Sequence, residues 1–130
     1  MNAPRLSLVI PVLDESGSIA GLLEQLLQQD LGHWQLDILV VDDGCDGTDR
    51  IVQGYARRDA RVRLWHRRGT DGLANAVWQG WQQCEGDVLG VMDGDGQHPP
   101  DALPALLAAI DSGAGLAIGN RFTAGGSVEG

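Results

Sequence analysis

The residues best equipped for chemistry are carboxylates in three short clusters: Asp93-Gly94-Asp95-Gly96-Gln97, Asp42-Asp43 and Asp14-Glu15. In the first, two acids stand one residue apart at the end of the apolar run Val88-Leu89-Gly90-Val91-Met92. Like charges that close raise each other's pKa and cost stability unless a cation joins them. Oxygen donors from Asp93, Asp95 and Gln97 at alternate positions suit Mg2+ or Mn2+ rather than zinc. The plain structural alternative is a polar turn, with Asp101 capping the helix that follows. Asp14 and Glu15 can accept hydrogen bonds from a sugar hydroxyl or a base, and can also favour the dipole of the next helix. Asp42 reads as an Asx-type turn residue bonding backbone amides, and Asp43 as ligand-facing. Arg121 would be a counter-charge to these acids or to an anionic ligand. Arg68 and His66 read more simply as a solvated turn residue and a structural histidine.

These side chains need a frame. Leu6 to Val12 reads as a mostly buried first strand, with pairing expected to stop near Pro11, which has no N–H to donate. Ser16 or Ser18 would cap a helix with apolar positions at Ile19, Leu22, Leu23, Leu26 and Leu27, a helical spacing. Leu36 to Val41 is a second buried strand, and Asp46 or Thr48 caps a helix from about Asp49 to Arg58. Arg61 to His66 alternates, which predicts an edge strand with one wet face. A helix from Leu73 to Cys84 would bury Leu73, Ala76, Val77, Gly80 and Trp81. Val88 to Met92 reads as a dry fourth strand. Asp101 starts a helix through Leu103, Leu106, Leu107 and Ile110, with Pro104 in its first turn, where proline is tolerated. Leu116 to Gly119 is a fifth short strand, and the tail from Thr123 to Gly130 looks poorly tied down. Strand and helix alternating in this way imply a mainly parallel sheet with helices on both faces. All three acidic clusters and Arg121 then fall on one edge of it, where open α/β sheets bind ligands.

Composition narrows the function. The 130 residues make one domain, 43% hydrophobic and 21% charged, ordinary for a globular chain. A net charge of -9 argues against nucleic acid, whose phosphates need basic patches. All nine basic residues are arginine, which removes the P-loop lysine and Schiff-base chemistry. The first strand–helix turn is Pro-Val-Leu-Asp-Glu-Ser rather than Gly-x-Gly-x-x-Gly, so a dinucleotide fingerprint is absent. Cys45 and Cys84 fit no metal or redox spacing, and reduced thiols are expected. No apolar run is long enough to span a bilayer. Met1 to Arg5 lead straight into the first strand, so no signal peptide is expected.

Five motifs together resemble family 2 glycosyltransferases, in the polyprenol-phosphate (dolichol-phosphate) mannose synthase branch. They are Ile10-Pro11-Val12-Leu13-Asp14-Glu15, Val40-Val41-Asp42-Asp43-Gly44-Cys45-Asp46-Gly47-Thr48, Gly72-Leu73-Ala74-Asn75-Ala76, Met92-Asp93-Gly94-Asp95-Gly96-Gln97-His98-Pro99-Pro100 and Ile118-Gly119-Asn120-Arg121-Phe122. The resemblance implies a GT-A, Rossmann-like α/β fold, here expected to comprise the nucleotide-binding part over 1–130, truncated before an acceptor-binding half. It implies that Pro11, Leu13 and Glu15 line a nucleotide pocket, that Asp43 meets the base with Asp42 beside it, and that Asp93, Asp95 and Gln97 hold the cation. Arg121 would face the diphosphate or the acceptor phosphate. The implied reaction is inverting transfer of a hexose, mannose or glucose, from a GDP- or UDP-sugar to a polyprenyl phosphate. A cytoplasmic chain, peripheral at the inner face of the membrane, goes with that acceptor. Apolar surface left by the shorter fold predicts self-association.

Two alternatives stand beside this reading. Val91-Met92-Asp93-Gly94-Asp95-Gly96 fits the outline of a haloacid dehalogenase-type phosphohydrolase with Asp93 as nucleophile, although the lysine such sites use is missing. The chain would alternatively bind a nucleotide sugar without turning it over.

Overall fold

The computed structural model describes residues 3–67, 71–95, 99–113, 116–118 and 127–129. Its centre is a four-stranded parallel sheet in the order β3-β2-β1-β4. β1 (Arg5–Val12) and β2 (Gln35–Asp42) pair along their whole length, from Arg5 opposite Gln35 to Val12 opposite Asp42. β3 (Val62–His66) adds to β2 with Asp42 opposite His66. β4 (Val88–Val91) adds to the other side of β1, from Leu6 opposite Val88 to Val9 opposite Val91. The two central strands are runs of Leu, Ile and Val buried on both faces, as a parallel sheet covered by helices demands.

The crossovers are α1 (Ile19–Leu27), α2 (Thr48–Arg58) and α3 (Leu73–Trp81). A 3-10 turn (Pro100–Ala102) and α4 (Leu103–Asp111) follow β4. One face of the sheet packs Leu6, Leu8, Ile10, Val12, Ile38 and Val40 against Ile19, Leu22, Leu23 and Leu26 of α1, Val52 of α2, and Leu103 and Leu107 of α4. Each such side chain contributes roughly 1.5–3 kcal/mol when fully buried. The other face is thinner: Val9, Leu39 and Val41 meet Ala76 of α3. α3 lies close because Gly80 has no side chain; a Cβ there would sit 3.1 Å from both Val9 and Val41.

Several expectations need correction. Pairing does not end at Pro11 on both sides: it runs to Val12 against β2 and stops at Val9 against β4. The missing N–H therefore falls on the β4 side. β4 is not dry. It lies at the edge of this sheet, with Leu89 45% and Val91 49% exposed, because nothing among the described residues covers that face. The Trp81 indole donates to Gly90 O at 2.9 Å. Leu73, expected in the buried face of α3, is 51% exposed, and the helix ends at Trp81 rather than Cys84. β5 (Leu116–Ile118) does not extend the parallel sheet. It pairs antiparallel with β6 (Ser127–Glu129), which falls within the tail expected to be loose. Asp101 lies inside the 3-10 turn and makes no capping bond to α4, whose N-cap is Ala102.

Candidate functional site

Because all four strands run the same way in register, the segments that follow β1, β2, β3 and β4 emerge at one edge of the sheet. Three of them are tied together. Asp14 has a left-handed backbone, φ 56°, a conformation that Asp tolerates better than most residues. Its Oδ1 accepts from Cys45 N at 3.1 Å. Gly44 sits against it so closely that a Cβ would lie 2.5 Å from Asp14 Oδ1 and 2.7 Å from Asp14 N. Asp46 reaches back to accept from Ser16 N at 3.0 Å and also takes bonds from Thr48 N and Oγ1. These bonds, the Thr48 hydroxyl foremost, hold the Asp46 carboxyl well below the usual carboxylate range. Ser18, at the N-cap of α1, donates to Gly94 O at 2.6 Å and so ties the loop after β1 to the loop after β4.

The two acids after β2 have different surroundings. Asp42 is 1% exposed. Its Oδ1 accepts from Gly44 N at 2.8 Å, the Asx-type turn expected for it. Its Oδ2 has no hydrogen-bond partner among the described residues, and burial raises its pKa above the ordinary value. His66 Nε2 lies 3.9 Å from that oxygen and bonds Gly44 O at 3.0 Å. A carbonyl only accepts, so Nε2 carries the proton. His66 Nδ1 faces Asp49 Oδ2 at 3.7 Å. Asp43 is gripped in a two-pronged ion pair: Arg67 Nε donates to Oδ1 at 2.9 Å and a terminal guanidinium nitrogen to Oδ2 at 2.8 Å. Both side chains are 7% exposed. Arg67 also donates to Gln79 Oε1 at 3.0 Å and Asp71 Oδ1 at 2.6 Å. Asp43, first, and then Asp71 raise its pKa further.

The remaining expected residues fall as follows. Pro11 is buried in β1, Leu13 is 56% exposed beyond its end, and Glu15 is half-buried with Oε2 3.3 Å from Ser18 Oγ. Asp93 and Asp95 are exposed in the loop after β4, on the same edge. Gln97, Arg68 and Arg121 lie outside the described residues. Among the described residues no three His, Cys, Asp or Glu side chains form a group able to hold a metal ion. Two carboxylates are nevertheless a donor set that fits a hard divalent cation whose shell is completed by ligand phosphates and water. A depression of about 380 Å3 beside the site is lined by Cys45, Asp46, Gly47, Asp49, Arg50 and His66. A larger one, about 850 Å3, lies at the opposite ends of the strands against Arg5, Gln35, Asp37 and Arg63 and touches none of the expected residues.

Two residues were missed by sequence reasoning. Arg67 belongs to none of the motifs singled out above; counting one place past the Asp42–His66 register sets it beside Asp43. Ser18 was read as a cap, and no local pattern marks its turn toward Gly94.

The sequence profile of Glycosyl transferase family 2 matches residues 7–129. A dolichol-phosphate mannosyltransferase from Pyrococcus furiosus is 35% identical over 127 residues, covering 96% of this chain and 35% of that protein. A polyprenol monophosphomannose synthase from Mycolicibacterium smegmatis is 46% identical over 100 residues, 73% of this chain and 38% of that protein. The chain thus spans little more than a third of the length of these two relatives. Among solved structures, the mannosyltransferase PcManGT from Pyrobaculum calidifontis, in complex with GDP-Man and Mn2+, superposes with a TM-score of 0.64. It is 21% identical over 80% of this chain and 32% of its own length. At that identity the likeness speaks for the fold, the GT-A Rossmann-like arrangement.

Proposed function

Because this chain belongs to glycosyl transferase family 2, we propose that it forms the sugar-nucleotide side of an enzyme moving a hexose from a nucleoside diphosphate to a polyprenyl phosphate. The observation that carries the reading is the meeting of the loops after β1, β2 and β4 at one sheet edge, joined through Asp14–Cys45, Ser16–Asp46 and Ser18–Gly94. The names of the two relatives, a dolichol-phosphate mannosyltransferase and a polyprenol monophosphomannose synthase, support mannose and a lipid phosphate. The GDP-Man and Mn2+ of the solved mannosyltransferase support a GDP-sugar and a divalent cation.

In this reading Pro11, Leu13 and Glu15 line the nucleotide pocket and Asp43, oriented by Arg67, meets the base, with the buried Asp42 beside it. Asp93 and Asp95, with Gln97 beyond the described residues, hold Mg2+ or Mn2+. When bound, the cation supplies Lewis-acid stabilisation of the charge that develops on the leaving diphosphate. Arg121 faces the diphosphate or the acceptor phosphate. An oxygen of the acceptor phosphate attacks the anomeric carbon as the bond to the diphosphate breaks, which inverts that carbon. The acceptor is already ionised at neutral pH, so no general base has to be supplied. A site at the inner face of the membrane on a cytoplasmic chain suits such a lipid. Among the described residues no helix is long and apolar enough to cross a membrane.

Calorimetry tests the proposal. Mn2+ with GDP or UDP should bind the chain, and Asp95→Ala should remove the metal dependence; no binding, or binding unchanged by Asp95→Ala, would sink it. Nucleotide-sugar binding without turnover is the second reading. A transfer assay with mannosyl donor and polyprenyl phosphate separates the two. The phosphohydrolase alternative draws no support from the family match.

A further inference from the structure

Ser18 occupies the N-cap position of α1, where serine ordinarily accepts a bond from a first-turn amide, yet it makes no capping bond. Its hydroxyl is spent elsewhere. Gly94 O lies 2.6 Å away, Glu15 Oε2 3.3 Å and Glu15 O 3.4 Å. A hydroxyl has one proton to give, and the shortest contact, to Gly94, takes it. Gly94 is the residue between Asp93 and Asp95. It is reachable because it carries no side chain: a Cβ would lie 2.4 Å from Val12 Cγ1 and 3.5 Å from Glu15 Cγ. A local capping rule is thus broken in favour of a contact 76 residues away, and such departures concentrate at functional sites.

We propose that Ser18 is a positioning residue: its hydroxyl proton sets the Asp93–Asp95 loop against the Leu13–Ser18 loop, so that a divalent cation and a nucleoside diphosphate bind as a coupled pair. The identity of the two ligands rests on the glycosyl-transfer reading; the contact itself does not. Coupling of this kind is reciprocal, each ligand tightening the other by the same factor.

The test uses the full 130-residue chain as wild type, Ser18→Ala, Ser18→Cys and Ser18→Thr. Cys keeps the volume should the smaller side chain unfold the start of α1, and is only a weak donor. Amide hydrogen exchange across residues 92–95 is measured, together with Mn2+ binding by water-proton relaxation with and without GDP or UDP. Ala and Cys should speed loop exchange and weaken Mn2+ binding in the presence of nucleotide by about two- to tenfold, the fold-change of one ordinary hydrogen bond. Nucleotide affinity without metal should hold, and Thr should restore both readouts. Wild-type exchange in Ala and Cys, or equal losses with and without Mn2+, overturns the proposal. If the wild type binds Mn2+ with neither nucleotide, the glycosyl-transfer reading fails, and loop exchange alone decides the role of Ser18.

Discussion

Arg67 and Asp43 illustrate what a single pair does here. Both side chains are almost wholly buried and share two short hydrogen bonds. Removing Arg67 takes two short charge-assisted hydrogen bonds from a nearly buried carboxylate. Arg67→Ala should therefore cost about 3 kcal/mol in urea denaturation. Lysine offers a point charge rather than a planar fork, so Arg67→Lys should recover only part; full recovery would show that the fork is immaterial. Asp46 and Asp42 make opposite contributions with pH. The Asp46 carboxyl is depressed in the fold by Thr48 and Ser16. Its stabilisation is complete above about pH 4 and is lost as pH falls through the folded value. Tm should drop on acidification below about pH 4, and Asp46→Asn should flatten that drop. Asp42 is raised, mainly by burial. Its contribution is most favourable below the unfolded value and is lost as pH rises through the raised one. Carboxyl 13C titrations should place the Asp42 midpoint above, and the Asp46 midpoint below, the ordinary 3.8; the reverse order would refute the assignment.

At the scale of elements, the lead into β4 is pinned to β1 by a buried polar contact. Ser7 is fully buried; its hydroxyl accepts from Gly86 N at 3.0 Å and donates to Asp37 Oδ2 at 3.2 Å. Asp37 is in turn held by Arg63 of β3 at 2.8 and 3.0 Å. Three strands thus share one network at the edge opposite the site. A Cβ on Gly86 would fall 2.4 Å from Ser7 Oγ and 2.7 Å from Ser7 N, and the backbone cannot move aside as a flexible side chain would. Gly86→Ala should destabilise by about 2 kcal/mol in chemical denaturation. A neutral result would mean that the lead into β4 is free to shift.

At the scale of the whole molecule, β4 presents Leu89 and Val91 to solvent on one face at the edge of the described sheet. Exposed, alternating apolar residues on an edge strand invite a second chain. The wild-type chain should self-associate in sedimentation, and Leu89→Glu with Val91→Glu should shift it toward monomer. A wild type that sediments as a monomer across the accessible concentrations would remove the argument.

What sequence alone determined is what repeats locally or is carried by a motif. The alternation of strands and helices, the two dry central strands and the edge place of β3 follow from periodicity, and the family from the resemblance of its motifs; the wet face expected of β3 is absent, since Val62 is buried and its other residues are half-buried. The acids were legible because short motifs at strand ends need no knowledge of distant residues. Tertiary structure decided whatever depends on which strand lies beside which. It paired Arg67 with Asp43, drew Ser18 away from its helix to Gly94, left Leu73, Leu89 and Val91 uncovered, and sent β5 out of the parallel sheet. An apolar run reads the same whether its faces are covered or bare, since burial is set by neighbours far along the chain, and a hydroxyl goes to whichever acceptor packing brings nearest.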